Sequence, residues 1–124
     1  ALQAQGCSEL VITADTSNCL LIYPPAEWEP IETQLGNLTG FDPFIRNLQR
    51  RIVGHASDVE IDAAGRILIP PALRYYARLD KHVALVGQGR RLELWDERTW
   101  QDLSAQPIEL PATGLPSELV GFKL

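Results

Sequence analysis

The sequence predicts an α+β fold in which one unit, a β-hairpin followed by a short helix, is used twice about a pseudo-twofold axis. Three observations carry that expectation. Apolar runs bounded by turn residues recur at 9–23, 59–69 and 83–95, the pattern of hairpins. Between them lie stretches with proline starts, apolar residues three or four apart and glycine ends, the pattern of short helices. Shifting the 124-residue chain by 72 positions places Leu20, Ile22, Tyr23 and Trp28 over Leu92, Leu94, Trp95 and Trp100, with Val11 over Val83 and Ile31 over Leu103, and no gap is needed. A unit of this size cannot bury its apolar face alone, so each copy is expected to complete the other's core.

In chain order, Glu9 to Thr13 reads as a strand, Asp15-Thr16-Ser17-Asn18 as a polar turn and Cys19 to Tyr23 as the returning strand. Pro24-Pro25 stops that strand, and Trp28, Ile31 and Leu35 recur at helical spacing, with Pro30 blurring the helix start. After a loop from Gly36 to Gly40, Asp42-Pro43 is an N-cap followed by proline at the first helical position. The helix it opens is expected to run to Val53, bury Phe44, Leu48 and Ile52, end at Gly54 and show Arg46 and Arg50 to solvent, with Arg51 nearby. Further on, Val83 to Val86 and Leu92 to Trp95 form a hairpin around Gly87-Gln88-Gly89-Arg90, and Glu97 to Ser104 a last helix. That Gly-x-Gly lies between two strands and not at a strand-to-helix turn, which excludes a dinucleotide cradle.

The central stretch from Val59 to Leu79 is the densest in signals. Val59-Glu60-Ile61-Asp62 and Arg66-Ile67-Leu68-Ile69 flank Ala63-Ala64-Gly65, as two strands joined by a three-residue loop would. Such a loop needs a residue in the left-handed region, which assigns Gly65 a backbone role. Asp62 and Arg66 become neighbours, an exposed pair worth roughly 0.2 to 1 kcal/mol. Pro70-Pro71 then presets a helix from Ala72 to Leu79, expected to bury Ala72, Tyr76 and Leu79 and to turn Arg74 and Arg78 together toward another face.

The string from Val59 through Arg74 resembles the second half of the MraZ family of bacterial transcriptional regulators, whose signature is Asp-x-x-x-Arg in a hairpin of the AbrB-like, swapped-hairpin superfamily. Asp62 and Arg66 match it, and the likeness extends through Leu21-Ile22-Tyr23-Pro24, Gly54-His55-Ala56, Val86-Gly87-Gln88-Gly89 and Leu94-Trp95-Asp96-Glu97. The resemblance implies duplicated AbrB-like β-barrel halves: 1–36 the remainder of the first half, 37–55 a connecting helix, 56–104 the second half and 105–124 a Pro- and Leu-rich tail. Under the 72-residue shift the motif hairpin's counterpart falls before Ala1, and the sequence has no methionine, so the chain is expected to be N-terminally incomplete. The resemblance further implies a cytoplasmic, nucleoid-associated repressor of a division and cell-wall gene cluster, binding double-stranded DNA at promoter repeats as a ring-shaped homo-oligomer. Asp62, Arg66 and Arg74 are its candidate DNA-binding residues. On the residues alone, a charge pair that only steadies the hairpin or the assembly is the better explanation of Asp62 and Arg66; the resemblance brings the DNA-reading role level with it. Subunit contacts are expected around Trp28, Trp95 and Trp100.

Charge and composition set the remaining bounds. A net charge of −5 is awkward for phosphate binding, but its distribution is uneven. Residues 1–45 hold six acids and no Lys or Arg, whereas 46–98 hold ten basic residues against seven acids. The acidic balance and the tail support a second reading, an oligomeric interaction scaffold or antitoxin-like partner without DNA. No segment approaches the ~18 apolar residues of a membrane span, and no charged-then-apolar leader is present, so no membrane partner is expected. Cys7 and Cys19, with only His55 and His82 far along the chain, give no metal-ligand spacing, and the cysteines are expected to be buried or incidental. No nucleophile is paired with a base, so no enzyme, cofactor or small-molecule substrate is expected; His55, after Gly54, reads as a capping or packing residue.

Overall fold

The computed structural model describes residues 9–109, 111–114, 116–119 and 121. Five strands form one antiparallel sheet in the order β3-β1-β2-β5-β4. The first hairpin, β1 (Glu9–Ala14) and β2 (Leu20–Tyr23), supplies the middle of the sheet. Its three-residue loop closes with Asp15 N–H donating to the Cys19 carbonyl at 2.9 Å, and Asn18 takes the left-handed conformation at φ 60°. Strand β3 (Ser57–Glu60) pairs with β1 on one side, Leu10 opposite Val59. On the other side β2 pairs with β5 (Arg91–Asp96), which pairs with the edge strand β4 (Val83–Gln88).

The β2–β5 register joins the two units symmetrically. Leu20 faces Leu94, Leu21 faces Glu93 and Ile22 faces Leu92. Under the 72-residue correspondence the Leu20–Leu94 pair becomes the Ile22–Leu92 pair and Leu21–Glu93 becomes itself, so the local axis runs through that central pair.

Alternation sends the two sets of apolar side chains to opposite faces. Leu10, Ile12, Ala14, Leu20, Ile22, Val59 and Leu94 face one way, under Leu73 and Ala77, with Ile61, Ile67 and Ile69 packed alongside. Val11, Leu21 and Tyr23 face the other way and meet Trp28, Ile31 and Ile52. Ile12 and Leu20 are fully buried, and each contributes about 1.5 to 3 kcal/mol by leaving water.

The helices cover this second face. α1 (Pro25–Gly36) starts on the second residue of Pro24-Pro25 and runs through Pro30, anchored by buried Trp28, whose Nε1 donates to Glu32 at 2.9 Å. α2 (Pro43–Ile52) opens as the sequence predicts, Asp42 accepting the Phe44 N–H at 2.8 Å. Its last carbonyl, at Ile52, accepts the Thr13 hydroxyl and so ties the helix end to β1. Gly54 is required there, because a Cβ would stand 2.3 Å from the Arg50 carbonyl oxygen. His55 Nδ1 donates to the Arg51 carbonyl at 3.0 Å, the packing role expected of it. α4 (Glu97–Ser104) follows β5 with Asp96 as its cap.

Three sequence expectations need correction. Arg66 to Ile69 form no strand: the turn closes, but the chain then diverges toward Pro70, and Ile67 and Ile69 pack against the core as an irregular segment while β3 takes its ladder from β1. Helix α3 is shorter, Pro71–Tyr76, and its buried face is Leu73 with Ala77; Ala72 is exposed and Tyr76 and Leu79 are half-buried. The face is one residue off because the helix must seat Leu73 in the sheet's cluster. Phe44, expected in the core, is 72% exposed, and no residue of α2 is fully buried.

Candidate functional site

The turn between Asp62 and Arg66 is built from the backbone outward. Asp62 N–H donates to the Arg66 carbonyl at 2.8 Å and Gly65 N–H to the Asp62 carbonyl at 2.9 Å. Gly65 sits at φ 80°, where a side chain would be strained. Asp62 Oδ1 accepts the N–H groups of Ala64 at 2.9 Å and Arg66 at 2.8 Å, so its carboxylate organises the loop. The Asp62 Oδ2 accepts from Arg66 Nε at 3.2 Å. Because that contact uses Nε, it aims the guanidinium without consuming the two terminal nitrogens that make bidentate contacts. The Arg66 side chain is 80% exposed, which makes the ion pair weak as a stabiliser and leaves the arginine presented on a pinned loop.

Arg74 is exposed on α3 and lies in a separate cleft of about 690 Å³ with Asn18, Tyr75 and Arg78. Arg74 and Arg78 do turn toward one cleft together, as expected, but not as neighbours on one helical face. The helix ends at Tyr76, and Arg78 occupies the left-handed position after it at φ 53°, its place fixed by the Leu79 N–H donating to the Arg74 carbonyl at 3.0 Å. α3 is held in turn by Tyr76, whose hydroxyl donates to the Asp15 carbonyl and whose ring packs 6.0 Å from His55.

A polar seam on the α1 side of the sheet was not legible in the sequence. Arg91 donates to the Tyr23 hydroxyl at 3.1 Å and stands 3.9 Å from Glu93, while buried Glu93 accepts from Trp95 Nε1 at 3.0 Å. Asp15, Cys19 and Glu93 bring their ligand atoms within 4.8 Å of one another. Burial first, then Asp15 and Glu93, pushes the Cys19 thiol far above its ordinary range, so it stays protonated and donates to Asp15 at 3.5 Å. Arg91 is pushed up, chiefly by its bond to Tyr23, and holds its charge beside Glu93. The set is a satisfied structural network, and Cys19 is buried as expected; Cys7 lies outside the described residues. Trp28 and Trp95 are buried in the core of the chain, and Trp100 is half-buried against Trp95. Among the described residues no helix is long and apolar enough to cross a membrane.

Comparison with known proteins places this geometry in context. A family model described as "MraZ protein, putative antitoxin-like" matches residues 52–123, which include the whole Asp62–Arg66 turn and β4-β5-α4. Proteins named "Transcriptional regulator MraZ" are similar along the chain. The one from Thiobacillus denitrificans is 50% identical over 124 residues, covering 100% of this chain and 84% of its own length. That from Nitrosospira multiformis is 53% identical over 115 residues, 93% of this chain and 78% of its own. The Legionella pneumophila protein is 43% identical over 128 residues, 100% of this chain and 84% of its own. Identity at this level reaches beyond the motif turn into both hairpin-plus-helix units: the chain belongs to the MraZ family.

Proposed function

We propose that this chain is a sequence-specific DNA-binding transcriptional repressor that works as a homo-oligomer on repeated promoter sites. The observation that carries the reading is Arg66: an exposed guanidinium aimed by Asp62 from a loop that two backbone bonds, two further N–H groups held by the Asp62 carboxylate, and Gly65 keep in one shape. Arginine presented in that way suits bidentate contact with guanine O6 and N7, worth about 1 to 3 kcal/mol of discrimination, or a phosphate. Arg74 adds an exposed cation for backbone contact. The names of the relatives support transcriptional regulation, and resemblance to the family supports a division and cell-wall gene cluster as the target.

Oligomerisation answers the charge problem. A −5 chain has few phosphate contacts to offer singly, but several copies bound to spaced repeats gain through effective concentration. The same reading takes the fold as a duplicated, swapped-hairpin AbrB-like barrel, in which Arg66–Ile69 would pair with an equivalent hairpin instead of with β3. The family description "antitoxin-like" favours a second reading, a protein-binding scaffold without DNA. Fluorescence anisotropy with a duplex carrying direct repeats and a shuffled duplex separates them. DNA binding predicts tighter association with the repeats, weakening with salt; no association with either duplex at low salt leaves the scaffold reading.

A further inference from the structure

We infer that the N-terminal half of α2, with the loop before it, is the surface by which one copy of this chain docks on a second copy, through a non-symmetric contact between its arginine-flanked phenylalanines and the acidic α1 side of its neighbour. This rests on the oligomeric part of the reading above and assigns that assembly a surface.

The observation is an amphipathic helix with half its apolar stripe unused. Phe44, Leu48 and Ile52 recur four apart; Ile52 reaches the sheet and Leu48 is half-buried, but Phe44 is 72% exposed. Phe41 at 86% and Leu38 at 42% continue the exposed apolar surface along the loop. Beside Phe44 lies a shallow cavity of about 170 Å³ lined also by Thr16, Asn47, Leu48 and Arg51. Scattered apolar residues on a surface are ordinary, but three in one short segment make a patch.

The patch is held in shape before anything binds. Asp42 caps the helix, Pro43 presets its first turn, and Gln49 Nε2 donates to the carbonyls of Leu35 at 2.7 Å and Leu38 at 3.0 Å, stapling loop to helix. Arg46 lies 5.7 Å from the centre of the Phe41 ring. An ordered surface loses less freedom on association. Phenylalanine and arginine are also what protein interfaces enrich. Two aromatic rings bring about 150 to 250 Å² each, a large share of the roughly 800 Å² per partner that a stable interface needs.

Charge selects the partner and the geometry. Arg46 against Phe41 and Arg51 beside Phe44 border the patch, so a twofold contact of the patch with itself would set like charges face to face. α1 carries three acids and no base, and presents Glu29 and Glu32 exposed with Glu27 half-buried. Docking α2 of one copy on α1 of the next pairs opposite charges, and a repeated contact of that kind closes into a ring when the rotation allows.

Light scattering on the whole chain tests this. Wild type is expected at a multiple of the monomer mass. Phe41→Ser with Phe44→Ser is expected at the monomer mass with an unchanged melting temperature, since both side chains are exposed, and Arg46→Glu is expected to weaken the association by charge alone. A phenylalanine variant that keeps the wild-type mass overturns the inference and leaves the oligomeric reading intact. If that variant keeps its mass but loses retention on duplex DNA, the patch is a DNA surface and the inference is wrong. A monomeric wild type overturns the oligomeric reading itself.

Discussion

The two hairpin-plus-helix units share a spacing and differ in what covers them. Every residue of β1 but Glu9 is buried and every residue of β2 is, whereas β4 has none buried and leaves Leu85 59% exposed. The ring pairs correspond position for position, Tyr23 with Trp28 at 5.6 Å and Trp95 with Trp100 at 5.8 Å, so the local packing survives in both. What differs is the surroundings. β1 and β2 have a strand on each side, α3 and segment 61–69 over one face and α1 and α2 over the other. β4 stands at the sheet edge, and Leu85, opposite Leu94 on the α3 side, lies beyond the reach of α3. The turns diverge as well: three residues with Asn18 left-handed in the first unit, two with Gly89 at φ 71° in the second. That moves the strand register by one, from Val11 opposite Tyr23 to Val83 opposite Asp96. One sequence pattern thus gives two burial outcomes, and neighbours decide which.

Paired substitutions break or sharpen that comparison. Trp28→Ala is expected to cost about 3 to 5 kcal/mol in urea denaturation and Trp100→Ala clearly less, because only the first ring is enclosed. Leu20→Ala should cost about 2 to 5 kcal/mol and its counterpart Leu92→Ala less; equal losses would show that sheet position does not govern burial. The helix caps test the reverse, since Asp42 and Asp96 each accept a first-turn N–H at a solvent-exposed start, that of Phe44 two residues on and of Thr99 three residues on: Asp42→Ala and Asp96→Ala should each lose about 1 kcal/mol.

The smallest effect concerns Cys19. A thiol pushed up by burial remains protonated in the folded chain while the unfolded one ionises, so this contribution to stability is complete below the ordinary thiol range and is lost as pH rises through and beyond it. Folded protein at pH 8 should resist thiol reagents at Cys19 and react after unfolding, as read by intact mass. Prompt labelling of Cys19 in the folded chain would contradict that burial.

Much of the fold was legible because its signals are local. Asp42-Pro43, Gly54, Gly65 and the Glu97–Ser104 helix each follow from a cap, a proline or a required φ, and the 72-residue shift located both hairpins. Long-range facts were not. That β3 would choose β1 over its own return segment, that Leu73 and not Ala72 would seat in the core, and that Phe44 would stay outside all depend on which surfaces meet. The Asp62–Arg66 contact was readable from spacing, while the Tyr23–Arg91–Glu93–Trp95 seam needed strands distant in sequence to be laid side by side.

Arg66→Ala gives the most direct test of whether this loop reads DNA. The ion pair is exposed, so stability should change by no more than about 1 kcal/mol in the same urea titration. Affinity for a repeat-bearing duplex should fall, either with relaxed sequence preference, by about 1 to 3 kcal/mol for a lost guanine contact, or uniformly across sequences with the salt slope reduced by about one for a lost phosphate. Unchanged affinity, preference and salt slope, with a drop in melting temperature or in oligomer mass, would contradict the account and assign Arg66 to the scaffold.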